Sequence, residues 1–275
     1  MPCQANKITK SLWSHWSESR KYFSNNQMFV LALQGSQNYE LDTEDSDIDT
    51  KLLLIPSFRS LAMNLKPVST THVLENNEHT DWKDIRLYFQ TFRKQNLNFL
   101  EILFTKYYLV NENYEKEWED LRSAGEEIAR MNPHRGVMSM YGLGETKFKN
   151  LKHNSPAADP FIEKYGYVPK ELHHLLRIED FIERYIDGEK FVECLRPRDP
   201  ETLISIKKGA LDLASAESEA QRAIEHVRAM KEDFCNKVPS IEDQEIVEFL
   251  DEVQYNIMKK AMINEVNNWR RCSYE

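Results

Sequence analysis

The chain has 275 residues, 41% hydrophobic and 29% charged, which is too apolar for disorder and long enough to bury a sizeable core. Its 36 Lys and Arg stand against 45 Asp and Glu, a formal net charge of -9. That balance argues against a protein that coats long nucleic acid by counterion release, though it leaves room for a small basic cleft.

In chain order, the stretch from Ser11 to Ser24 carries Trp13, Trp16 and Tyr22 at near-helical intervals and predicts an amphipathic helix packed on a sheet. Met28 to Leu33 is a short apolar run stopped at Gly35, the pattern of a buried strand ending in a turn. Asp47 to Ile55 predicts a second strand, polar and alternating at its start, apolar at its end and closed by Pro56. His72 to Leu74 and His79 to Trp82 flank the polar Glu75-Asn-Asn-Glu78, as two short strands joined by a turn would. Asp84 is a good N-cap for a helix whose Ile85, Tyr88, Phe89 and Phe92 share a face. Leu97 to Val110 is apolar and aromatic, and its periodicity does not choose between strand and helix.

Beyond about residue 111 the texture turns to long charged segments with few strand signals. They predict helices over roughly Tyr114–Met131, Arg135–Leu151, Lys170–Asp187, Pro200–Lys231 with a break, and Ile241–Arg271, punctuated by prolines where helices start or stop. No internal repeat and no Gly/Ser linker separates the halves, so they are expected to pack together around a ligand cleft. The expected fold class is α+β: a small mixed sheet with flanking helices over residues 1–112, then an all-α domain over 113–275 that closes the cleft.

Cys3, Cys194, Cys235 and Cys272 lie far apart, without a CxxC pair or ligand-like spacing to histidine, and read as free thiols of a reducing cytoplasm. The N-terminus lacks a signal peptide's apolar core, and no run approaches the ~20 apolar residues of a membrane span. A soluble, cytoplasmic protein with no membrane association is expected.

The chemistry concentrates in Gln34-GSQNYELDTEDSDIDTK-Leu52. A Gly-Ser turn after a buried strand lets the backbone approach a phosphate, while the Ser36 hydroxyl and nearby amides donate to its oxygens. On a strand, Asp47 and Asp49 project to one face with Ile48 turned into the core. Two acids so close repel unless a cation neutralises them, and carboxylates with phosphate oxygens form the hard-oxygen environment Mg²⁺ prefers. Such a site with two Mg²⁺ or Mn²⁺ ions serves in-line displacement at an α-phosphate, with a third carboxylate commonly completing it. Asp81 on the short strand is the candidate, and Asp84 the competitor, since the latter sits where an N-cap is wanted.

The spacing of Gly-Ser, ten residues, then Asp-Ile-Asp resembles the signature of the DNA polymerase β-like nucleotidyltransferase superfamily. More narrowly, GSQNYELDTEDSDIDTK, KPVSTTHVL, DWKDIRLYFQTFRKQNLNFLEILFTKYY and GYVPKELHHLLRIEDF resemble the RNA-ligase-associated nucleotidyltransferases of bacteria and their phages. The broad signature covers about the first hundred residues, and the narrower likeness runs past residue 200. The resemblance implies Asp47, Asp49 and Asp81 as metal ligands, Gly35 and Ser36 as phosphate contacts, an NTP such as ATP as substrate, and repair or modification of RNA ends. One departure is visible: Glu40 follows Tyr39, where these proteins commonly carry Gly.

Other residues have two readings each. Lys51 shares the strand face of the two acids and either contacts phosphate or pairs with an acid. Lys170, His173, His174 and Arg177 share one helix face, which either closes over the triphosphate (Lys170 and Arg177 first) or is a polar surface with one histidine satisfied in packing. Lys147, Lys149, Lys152 and His153 either guide an acceptor strand or form a solvated face. Phe89, Phe92, Phe99, Phe104, Tyr107 and Tyr108 read as core before base-stacking platforms. The acceptor stays open: RNA by the resemblance, or a protein or small molecule as the acidic net charge permits. A catalytically lapsed nucleotide-binding module is the third possibility.

Overall fold

The computed structural model describes the backbone of residues 2–44 and 46–272 and the side chains of 5–44 and 46–269. A long helix, α1 (Pro2–Ser19), leads into β1 (Met28–Gln34). The helix starts earlier than the aromatic spacing implies, because its buried stripe is Ile8, Leu12, His15, Trp16 and Ser19, while Trp13 and Tyr22 stand in solvent. Burying Ile8, Leu12 and Trp16 contributes roughly 1.5–3 kcal/mol each, ample to dock the helix on the sheet.

After β1 come β2 (Asp49–Leu54), the short α2 (Phe58–Ala62), β3 (Ser69–Val73), β4 (His79–Asp84) and, further on, β5 (Tyr108–Val110). These five strands form one sheet in the order β3-β4-β2-β1-β5, antiparallel throughout except for the central β2–β4 pair. The β3–β4 hairpin follows the expected turn, and α3 (Ile85–Arg93) begins where Asp84 accepts from the Arg86 amide. The ambiguous segment after it resolves into α4 (Leu97–Leu100), a 3₁₀ turn (Glu101–Leu103) and edge strand β5.

Alternation sorts the sheet into two faces. Leu31, Leu33, Leu52, Leu54 and Trp82 pack under α1, while Val30, Ala32 and Leu53 join Tyr88, Phe89 and Phe92 of α3 in the main core. Phe89 and Phe92 are thus core residues as their spacing implies; Phe99, Phe104 and Tyr108 pack at that core's margin, and Tyr107 at the margin of the α1-side cluster.

From residue 115 every regular element described is a helix: α5 (Glu115–Ser123), α6 (Gly125–Ala129), α7 (Pro133–Asn150), α8 (Asp159–Tyr165), α9 (Pro169–Ile186), α10 (Phe191–Cys194), α11 (Pro200–Lys207), α12 (Leu213–Lys237) and α13 (Gln244–Cys272). Proline opens α7, α9 and α11, where its missing N–H costs nothing. The expected Tyr114–Met131 helix is split at Ala124, and the short α2, α8 and α10 carried too little periodicity to announce themselves. The main core runs without a break from the sheet through Trp118 to Phe181 and Tyr185 of α9 and Leu250 and Ile257 of α13. Residue 112, where the expected boundary falls, lies in a 3₁₀ turn within this packing.

Cys194 and Cys235 are free thiols, and the side chains of Cys3 and Cys272 lie outside the described ones. No helix among the described residues is long and apolar enough to cross a membrane.

Candidate functional site

A cleft of about 1720 Å³ opens between the carboxyl end of β1 and the start of β2 on one side and α7, α9 and α11 on the other. It exceeds the ~300–1,000 Å³ usual for one small ligand. Every residue of the Gly-Ser and Asp-Ile-Asp stretches, together with Lys51, Asp81, Lys147, Lys170, His173, His174 and Arg177, lines it.

Gly35 ends β1 with φ 94 and ψ -156, a conformation essentially closed to residues with a Cβ. It hands the chain to a 3₁₀ turn, Ser36–Asn38, whose end is tied back by Asn38 Nδ2 donating to the Leu33 carbonyl at 3.0 Å. Glu40 has φ 62, so it takes the left-handed conformation a glycine would take there, and its exposed carboxylate meets Arg196 at 3.3 Å. The departure from glycine therefore keeps the turn and strains the residue. Glu40→Gly is expected to leave the thermal midpoint unchanged or raise it by about 2–4 °C. Relief of roughly 1–2 kcal/mol of left-handed strain outweighs about 0.5–1 kcal/mol of added unfolded-state entropy, and an exposed ion pair contributes little. A lower midpoint in a thermal melt would count against this account.

β2 begins at Asp49, so Asp47 stands in the preceding loop, where Gln37 Nε2 donates to its carbonyl at 2.6 Å. Ile48 is buried as its place between the acids implies. Asp49 and Lys51 share a strand face, and the β2–β4 register sets Lys51 beside Asp81. Burial holds the Asp49 carboxyl above the ordinary aspartate range, assisted by Asp47 and opposed by His79 and Lys170. His79 donates its amide to Asp49 Oδ1 at 3.3 Å.

Lys51 is the acid-pairing lysine of the two readings. Only 4% exposed, it places Nζ 3.4 Å from Asp81 Oδ2, bonds Gln34 Oε1 and lies over the Phe99 ring. Burial depresses its ammonium, and Asp81 opposes that. Thr71 Oγ1 donates to the other Asp81 oxygen at 2.6 Å. Asp84 is taken by its cap and by the Arg86 guanidinium at 2.7 Å, on the opposite sheet face. That leaves Asp81 as the cleft carboxylate of β4.

Among the described residues no three His, Cys, Asp or Glu side chains stand as a ready metal cage. The physical reason is local pairing: Asp81 turns to Lys51 and Thr71, and Asp49 to His79, which relieves repulsion among the acids. Asp47, Asp49 and Asp81 nonetheless offer the carboxylate oxygens that a hard divalent cation takes, and the desolvated Asp49 beside Asp47 is where added positive charge relieves most.

The opposite wall is basic. Lys170 is exposed at the start of α9; Arg177, two turns on, is buried with its guanidinium 4.0 Å from the Tyr39 ring centroid. His173 donates through Nδ1 to the Leu203 carbonyl, 2.8 Å away, and burial pushes it down to about 4, so it is the packing histidine of the pair. Burial likewise holds His174 well below the ordinary range. Of the second basic group only Lys147 reaches the cleft, paired with Glu171 at 3.2 Å, while Lys149 and Lys152 pair with Glu145 and Glu217. They do not form one track.

Sequence reasoning passed over Glu101 and Lys207, and gave Tyr39 and Phe99, which also line the cleft, no role in the site. Glu101 left a signal, a lone acid in the apolar run LNFLEILF; Lys207, whose amino group is influenced by Asp42 and Asp47 across the cleft, left none.

No protein-family model and no curated protein matches the chain. Among solved structures it is similar to a nucleotidyltransferase-like protein from Exiguobacterium sibiricum 255-15, at 13% identity over 82% of this chain and 75% of that one, with a TM-score of 0.32.

Proposed function

We propose that the cleft binds a nucleoside triphosphate, ATP being the first to test, and transfers its nucleotidyl group to a hydroxyl with release of pyrophosphate. One observation carries the reading: a glycine-only turn and three carboxylates, Asp47, Asp49 and Asp81, face a basic wall across one cleft. Gly35 and Ser36 hold phosphate oxygens, and Lys170 and Arg177 balance the polyphosphate charge from α9. Lys51 orients Asp81 when no cation is present. Asp47, Asp49 and Asp81 are the residues that would hold two Mg²⁺ or Mn²⁺ ions, and the chemistry such ions would supply there is activation of the attacking hydroxyl and charge relief on the leaving pyrophosphate.

The cleft's size leaves space for part of an acceptor beside a nucleotide. We place that acceptor among RNA ends, on the sequence resemblance; a protein or small-molecule hydroxyl is the second reading, favoured by the net charge of -9 and the dispersed lysines.

The test is incubation of the purified protein with each α-labelled NTP, Mg²⁺ or Mn²⁺, and total RNA or protein extract. Label on RNA, lost on chelation with EDTA, is the expected result. Label on protein would move the acceptor, and NTP binding without pyrophosphate release would replace transfer by a binding role.

A further inference from the structure

One wall of the cleft holds two buried charged side chains that the protein leaves unsatisfied. Arg177, 6% exposed, stacks on Tyr39, and its Nε and Nη1 are sealed from water with no hydrogen-bond partner. Its remaining nitrogen, Nη2, is not among these orphans, and the residue lines the cleft. Glu101, 3% exposed and also lining the cleft, has Oε2 sealed and unpartnered. These two groups sense each other's charge, yet their orphan atoms do not bond one another. Buried orphans of this kind are rare and call for a missing partner.

We propose that Arg177 is the ligand of the terminal phosphate of the triphosphate, and that Glu101 competes with that phosphate for the same guanidinium; this rests on the nucleotide reading of the cleft given above. Tyr39 follows directly on the 3₁₀ turn after Gly35, so its place over that ring sets the guanidinium beside the phosphate seat. A planar, always-charged fork suits a phosphate's paired oxygens. The competition follows from Glu101's ionisation. Burial pushes it up to about 8, against the pull of Arg177 and the nearby Gly35 amide. Below that value the acid is neutral and Arg177 keeps its whole charge for phosphate. Above it the carboxylate draws the guanidinium and repels the incoming anion, so affinity falls as pH rises.

Other charged groups also face this wall: Asp47, Asp49 and Lys51 from the β2 side, Asp81 from β4, Lys170, His173 and His174 from α9, and Lys207 from α11. Glu101→Gln separates their titration from that of Glu101, since it keeps the neutral shape and cannot ionise.

The experiment titrates ATP, ADP and AMP, with Mg²⁺, into the full-length protein and its variants between pH 7 and 9, with a circular-dichroism melt of each. Wild-type affinity for ATP is expected to fall about tenfold over that range, as one proton with a midpoint near 8 requires, while Glu101→Gln holds its pH 7 affinity. Arg177→Met should weaken ATP on the order of 100-fold and AMP by no more than about threefold; Arg177→Lys, which keeps charge and bulk if the first variant folds poorly, should fall between. An equal pH dependence in Glu101→Gln, or equal losses for AMP and ATP in both Arg177 variants, overturns the proposal while leaving nucleotide binding intact. No binding of any nucleotide by the wild type would overturn the underlying reading as well.

Discussion

Replacing Asp49 by Asn, alone or with Asp47→Asn, is expected to cut nucleotidyl transfer by on the order of 10³-fold or more, with no loss of thermal stability. The two halves of that expectation have separate grounds. Asp49 and Asp47 both line the cleft, so amides there remove both the negative charge and the hard oxygens that a divalent cation requires. Folding gains nothing from that charge. Burial is the largest influence on the Asp49 carboxyl and favours its neutral form, and Asp47 adds to it. An uncharged isostere relieves both, keeps the β1–β2 pairing opposite Gln34, and should melt at the wild-type temperature or slightly above. Label-transfer assays and thermal melts on the same preparations decide it. Retained transfer would remove Asp49 from the chemistry, and a much lower midpoint would make it structural.

Gly35→Ala is expected to fail in the opposite pattern, losing stability and nucleotide binding together. A Cβ at this position meets only Gln37 Oε1, at 4.0 Å, so there is no clash to relieve. The cost is torsional: φ 94 with ψ -156 lies outside what alanine adopts, and holding such a conformation costs about 1–3 kcal/mol. If the backbone relaxes instead, the Ser36–Asn38 turn moves, and a displacement of ~1 Å in a positioning group costs on the order of 100-fold in rate. Either route lowers NTP affinity. Denaturant unfolding and NTP titration should both show the defect; a Gly35→Ala variant with wild-type stability and affinity would mean that the turn adjusts freely and is no phosphate seat. The contrast with Glu40→Gly, a few residues on, is that the same backbone logic gives the other sign.

The sequence was legible where a local rule has one physical outcome. Met28 to Leu33 is the buried strand its short apolar run implies, and Gly35 after it opens the turn. Asp84 was given to its cap because a helix with a clear apolar stripe follows, which left Asp81 for the cleft. The prolines marked the starts of α7, α9 and α11. Local rules were weaker at α1, where Trp16 belongs to the buried stripe but Trp13 and Tyr22 do not, and a buried histidine and serine complete it. Trp13 shows that a large apolar side chain marks a possible core position and does not compel burial.

What the amino-acid sequence determined by itself is therefore the succession of its longer elements and the strand-turn-acid arrangement, because each depends on neighbours within a few residues. Tertiary structure alone decided which cations meet that arrangement. Lys51 became the partner of Asp81 through the parallel β2–β4 register, Glu101 and Arg177 came within reach of each other's charge from distant parts of the chain, and Lys147 was separated from Lys149 and Lys152 because it pairs with α9, while Lys149 pairs within α7 and Lys152 with α12. Charge has no period that a sequence can display. Its partner is fixed only when the core common to the sheet and the later helices closes and sets the two walls of the cleft opposite each other.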